Sequence, residues 1–131
     1  MTAVALLLVA GLLPACGGDS NPASPGIEPE IINAVDNFQF QTTALENYTG
    51  TLRYAWSNTG TMANIDQSCS LSSGDAILTL LDGNGDAVYG SSLTQDGSFA
   101  STAGLEGDWT VEVRCLHVWG TMNFRVDKRT P

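Results

Sequence analysis

The sequence has one histidine, five basic residues and three cysteines in 131 positions. A single histidine, His117, provides no second imidazole for an acid–base pair. The cysteines form no C-x-x-C pair of the kind zinc sites use. There is no phosphate-binding loop, no dinucleotide fingerprint and no nucleophile elbow. Fourteen acidic residues outnumber the basic ones and leave a formal charge of −9. Such a surface repels phosphate backbones and anionic headgroups, so nucleic acid is excluded as a partner. Arg114, Arg125, Lys128 and Arg129 crowd the C-terminal end and read as a solvated final hairpin and tail. The longest apolar run, residues 3–13, is far shorter than the about 20 residues a bilayer span needs.

That run ends in Gly11, Leu12, Leu13 and Pro14 and is followed by a stretch rich in Gly, Ser and Pro. Its length suits the h-region of an export signal, although no Lys or Arg precedes it. Leu13-Pro14-Ala15-Cys16 resembles the lipobox of bacterial lipoproteins: an aliphatic residue, a variable one, a small one, then cysteine. The resemblance implies that residues 1–15 are a removed signal peptide and that Cys16 begins the mature chain, carrying diacylglycerol on its thiol. Two or three acyl chains anchor stably where one is marginal. Gly17 after the cysteine resembles an outer-membrane sorting signal. The expected location is the cell envelope, with the membrane as first partner through the lipid on Cys16. Residues 16–33 then read as a tether, because its prolines and glycines leave little to bury. Gly17 to Glu30, fully extended, would reach about 45 Å.

Residues 34–131 read as one all-β domain. Phe38 and Phe40 alternate with polar residues, as do Leu52, Tyr54 and Trp56. Asn47-Tyr48-Thr49-Gly50 is a turn signal. Ala76 to Leu81 is apolar on both faces and predicts a central strand covered on both sides, or one in a sandwich core. Asn84-Gly85 between two apolar runs is a hairpin signal. Trp109, Val111, Val113 and Cys115 share the inward phase of a strand, Leu116 to Gly120 reads as a loop, and Met122, Phe124 and Val126 point inward again. No stretch after residue 30 sustains a helical period. About seven or eight short strands predict an antiparallel, jelly-roll-like β-sandwich.

Gly74 to Gly85, then Gly107-Asp108-Trp109-Thr110-Val111-Glu112-Val113, then Gly120 to Val126 resemble the pre-peptidase C-terminal domains of secreted bacterial proteins. The resemblance spans about residues 35 to 128 and implies a β-sandwich without catalytic activity.

With Cys16 given to lipid, Cys69 and Cys115 remain. An exported protein matures in an oxidising compartment, so the expectation is a Cys69–Cys115 disulfide closing about 45 residues, worth about 4 kcal/mol. Asp82, Asn84 and Asp86 place oxygen side chains at alternate positions, as a calcium loop begins. The EF-hand pattern fails at Ala87 and Leu93, so a structural Ca²⁺ clasp is the secondary reading beside a plain hairpin. Trp119, next to Gly120, is the best candidate for an exposed ring that stacks on a sugar, with His117 close by in sequence. The expectation is a non-enzymatic, lipid-anchored binding module. A glycan and an envelope protein are its candidate ligands, and the alternatives are a carbohydrate-binding module or an accessory subunit of an envelope complex.

Overall fold

The computed structural model describes residues 28–130. The signal segment, Cys16 and most of the tether lie outside the described residues. Seven strands follow one another: β1 (Glu30–Ala34), β2 (Asn37–Asn58), β3 (Met62–Gln67), β4 (Ser70–Leu81), β5 (Ala87–Ser92), β6 (Gly97–Ala100) and β7 (Gly107–Arg129). No helix occurs among the described residues, and every pairing is antiparallel. β1 begins at Glu30, inside the stretch the sequence assigned to the tether.

β2 and β7 organise the fold. They are 22 and 23 residues long and pair from Asn37↔Asp127 to Asn58↔Gly107. Strands of globular proteins usually run 3–10 residues, because a longer twisted ribbon must bend to keep its apolar side covered. The bend is written in the backbone. Register irregularities fall between Thr42 and Gly50, and Ala44, Asn47 and His117 take left-handed φ values of 54°, 53° and 51°. The two segments read as a turn and a loop, Asn47–Gly50 and Leu116–Gly120, face each other here through Tyr48↔Val118, flanked by Leu45↔Gly120 and Gly50↔Cys115. They are one bulged corner in a continuous strand pair.

The corner lets β7 serve two sets of neighbours. Residues 110–121 pair with β4, and residues 124–129 pair with β3. β5 lies beyond β4, β6 beyond β3, and β1 beyond β2. Cys115 Sγ lies 3.9 Å from Met122 Sδ on the same strand. In an unbent strand those residues would be about 23 Å apart.

Both arms of the bend feed one hydrophobic cluster. The register partners Phe40 and Phe124 stack at 4.9 Å, and the partners Trp56 and Trp109 meet edge to face at 5.9 Å. Both indoles are fully buried, with Trp56 Nε1 donating to Ala34 O and Trp109 Nε1 to Leu105 O. Leu78 and Leu80 are fully buried, whereas Ile77 on the opposite phase of β4 is 36% exposed. The apolar run there is therefore covered on one face only. β4 is central in the hydrogen-bond ladder without lying between two layers.

Candidate functional site

Three places carry the residues singled out from the sequence: the bulged corner, the turn between β4 and β5, and the cysteines.

At the corner, Leu116 and Trp119 are the exposed large apolar side chains, at 57% and 41%. Val118 between them is buried. His117 is exposed, and its left-handed backbone breaks the alternation of β7. Its amide N–H donates to Thr49 Oγ1 at 3.0 Å, and its Nδ1 lies 2.9 Å from Asn47 Oδ1. With that amide oxygen as acceptor, the neutral ring carries its proton on Nδ1 and Nε2 keeps the lone pair. Both contacts tie β7 to β2 across the bend, so His117 has two structural partners on β2. Trp119 stands opposite Ser73 of β4, and its carbonyl accepts from Ser72 Oγ at 3.4 Å. The other tryptophans and Tyr89 lie elsewhere. Trp56 and Trp109 are in the core, and Tyr89 packs on Phe99 while its hydroxyl donates to Gln67 Oε1. Trp119 is thus a lone exposed ring.

In the β4–β5 turn, Asp82 is 5% exposed and engaged on both oxygens. Oδ1 accepts the N–H groups of Asn84 and Asp86, each at 2.9 Å, and Oδ2 accepts that of Leu105 at 2.9 Å. The Leu105 N–H, followed by that of Asp86, holds the Asp82 carboxyl below the usual carboxylate range. The turn is closed further by Asp82 N donating to Asp86 O and Gly85 N to Asp82 O. Asn84 and Asp86 are exposed and joined by Asn84 Nδ2 donating to Asp86 Oδ2 at 3.3 Å. Asp82 thus acts on backbone amides and pins the segment before β7 to the turn. Among the described residues, no three His, Cys, Asp or Glu side chains converge as a metal cage.

The cysteines correct an expectation. Cys69 and Cys115 are both free thiols, so the predicted disulfide is absent. The reason is register. Cys115 pairs opposite Ala76, deep in β4, while Cys69 precedes Ser70, which pairs with Thr121 at the far side of the corner. Cys69 Sγ accepts from Asn123 N at 3.2 Å and donates to Asn123 O at 3.4 Å. Cys115 is buried beside Met122. Burial pushes the Cys115 thiol up to about 12 and raises that of Cys69 as well. Both thiols are held away from the reactive thiolate form.

The structure also assembles polar residues that no motif had flagged. Gln39, Asn64, Asp66, Asn123, Arg125 and Asp127 project from one side of β2, β3 and β7. Their only sequence signal is that the polar phase of these strands is written in Asn, Gln, Asp and Arg.

No family model matches the chain, and no curated protein matches it. Among solved structures, it is similar to a chain described as part of a glycosylation associate protein complex from Streptococcus agalactiae. The identity is 13% and the TM-score 0.42, over 86% of this chain; the chain spans 43% of that chain's length.

Proposed function

We propose that this chain is a lipid-anchored binding module of the bacterial cell envelope, without catalytic activity of its own. Leu13-Pro14-Ala15-Cys16, standing ahead of a Gly-, Ser- and Pro-rich stretch, carries the reading. Cys16 takes diacylglycerol, Gly17 directs the protein to the outer membrane, and the tether holds the β domain off the lipid surface. The domain is an antiparallel β-sandwich resembling the pre-peptidase C-terminal domains. One layer is the arm β1–β2–β7–β3–β6, and the other is the arm in which β2 and β7 meet β4 and β5. The contact of Cys115 with Met122 across the bend supports two facing layers. The non-enzymatic reading rests on the sequence, which has a single histidine and no nucleophile elbow.

The test is the intact mass of protein extracted from membranes of a lipoprotein-competent bacterium. The expected mass is that of a chain starting at Cys16 plus acyl groups, with Cys16→Ala released from the membrane fraction. A chain that keeps its first residues and carries no acyl mass overturns the reading.

A further inference from the structure

We propose that the outer face of the β1–β2–β7–β3–β6 arm binds a neutral, extended glycan. The proposal rests on reading the chain as a binding module and names its site and ligand class.

Register identifies the face. Phe38, Phe40, Ile65, Phe124 and Val126 point into the core, so the residues between them point out. One rung runs across five strands as Ile32, Gln39, Arg125, Asp66 and Ser98. The neighbouring rung carries Asn37, Asp127 and Asn64. Asn and Asp are depleted in strands because they fit a pleated surface poorly. The other arm of the same chain shows what a merely solvated face looks like. Its outward residues on β2, β4 and β7 include Thr51, Ala55, Thr79 and Thr110 beside the charged Arg53, Glu112 and Arg114, with Arg53 paired to Glu112, and include no Asn or Gln. The Asn and Gln side chains are thus gathered on one face only, against strand preference, and such departures concentrate where a surface has work to do.

The chemistry of the face points to an uncharged polyhydroxylated ligand. Arg125 and Arg129 offset Asp66 and Asp127, and Glu30 beside Gln41 leaves the face one negative charge on a chain of charge −9. An anionic ligand is disfavoured there. The groups are pre-set by bonds among themselves: Ser98 Oγ donates to Asp66 Oδ1 at 2.6 Å, Arg129 Nη1 to Asn64 Oδ1 at 2.8 Å, and Asn37 Nδ2 to Asp127. Held side chains lose less entropy when a ligand arrives. The guanidinium of Arg125 and the amides of Gln41 and Asn123 make no side-chain hydrogen bond or ion pair among the described residues. The guanidinium presents a planar fork of donors, and each amide a donor and an acceptor, groups that vicinal hydroxyls bridge. Ile32, 54% exposed beside Gln39, supplies an apolar edge for the C–H face of a sugar ring.

Shape argues for a chain and not a single sugar. Two shallow depressions flank the Arg125 rung. One, about 240 Å³, lies against Ile32, Gln39 and Asn123; the other, about 420 Å³, lies against Asn64, Ser98 and Arg129. Five strands at about 4.8 Å spacing make a track of about 19 Å. Hydrogen bonds spread along an open track suit an extended oligosaccharide.

The experiment is a depletion assay of the full-length, membrane-extracted protein on insoluble cellulose, chitin, xylan and β-1,3-glucan, in a detergent without a sugar headgroup. The native protein is expected to be depleted by one of these. Gln39→Ala/Arg125→Ala, still folded by far-UV circular dichroism, is expected to bind about tenfold or more weakly, as loss of charged and amide hydrogen bonds requires. Thr79→Ala/Thr110→Ala on the opposite arm should bind as the native protein does. No depletion by any polysaccharide overturns the proposal, and so does undiminished binding by the double variant. Loss of binding in Trp119→Ala alone moves the site to the corner and overturns it too. Acyl mass measured on the same preparation reports anchoring separately, so an anchored protein that ignores all four polysaccharides refutes the glycan face alone.

Discussion

Replacing glycines one at a time with alanine separates the two physical demands that the bulged corner makes. At Gly120, φ is +121° and an added Cβ would sit 2.2 Å from Ser70 O. At Gly74, φ is +84° and the Cβ would meet His117 O at 2.1 Å. Both neighbours are backbone, which has no rotamer to yield. The left-handed conformation alone costs a residue with a Cβ about 1–2 kcal/mol, and forcing apart packed backbone adds about 1–3 kcal/mol. Gly120→Ala and Gly74→Ala should therefore each lose about 2–5 kcal/mol. A domain of this size has about 5–15 kcal/mol in all, so the loss is large. The same chain holds the controls. Gly85 has φ +87° with nothing within 4 Å of a Cβ, so Gly85→Ala isolates the conformational cost at about 1–2 kcal/mol. Gly90 has neither constraint and should change stability by less than about 0.5 kcal/mol. Urea unfolding followed by tryptophan fluorescence reads all four, Trp56 and Trp109 being fully buried. The midpoint should fall in the order Gly90, Gly85, then the corner pair, with slopes unchanged. If Gly120→Ala and Gly74→Ala cost no more than Gly85→Ala, β4 and β7 do not approach each other as described, and the bend is wrong.

The remaining predictions concern the acidic turn and the thiols. Asp82 has a depressed pKa, so it contributes stability above the ordinary carboxylate range, and that contribution is lost as pH falls through its folded value. Asp82→Asn should lower the melting temperature at neutral pH, and the gap from native should narrow at about pH 3; a gap of constant size refutes the role given to its backbone bonds. Adding Ca²⁺ should leave the native melting temperature where it is, since Asp82 already has three N–H partners. Cys69 and Cys115 should both react with a thiol reagent in denaturant, with Cys115 silent in the native state because it is buried. A mass gain of two hydrogens on reduction would restore the bridge and contradict the register of β4 on β7.

Alternation alone made much of the core legible. Phe38 and Phe40, Trp109 through Cys115, and Met122 through Val126 are buried as their period-2 pattern predicts, since side chains of a strand must alternate between core and water. The Asn84-Gly85 hairpin was equally readable, because Gly85 supplies a left-handed residue that few others tolerate. What local signals cannot carry is pairing between distant segments. Asn47–Gly50 and Leu116–Gly120 each look like a chain reversal. Only their juxtaposition across β2 and β7 turns them into one bend, because left-handed residues kink a paired strand as readily as they end an isolated one.

The same limit governs the cysteines and the polar face. Cys69 and Cys115 share a compartment and a count that suggest a bond, but a disulfide needs its Cα atoms within about 7 Å. That distance is set by the register of β4 on β7, which lies in no local stretch of sequence. Gln39, Asp66 and Arg125 come from three strands scattered along the chain and meet only in a rung. The sequence by itself determined the strand character and the inward residues, because each is a short-range pattern. The tertiary structure alone decided which turns are bends, which thiols are apart and which polar residues share a surface, because those depend on long-range hydrogen bonds.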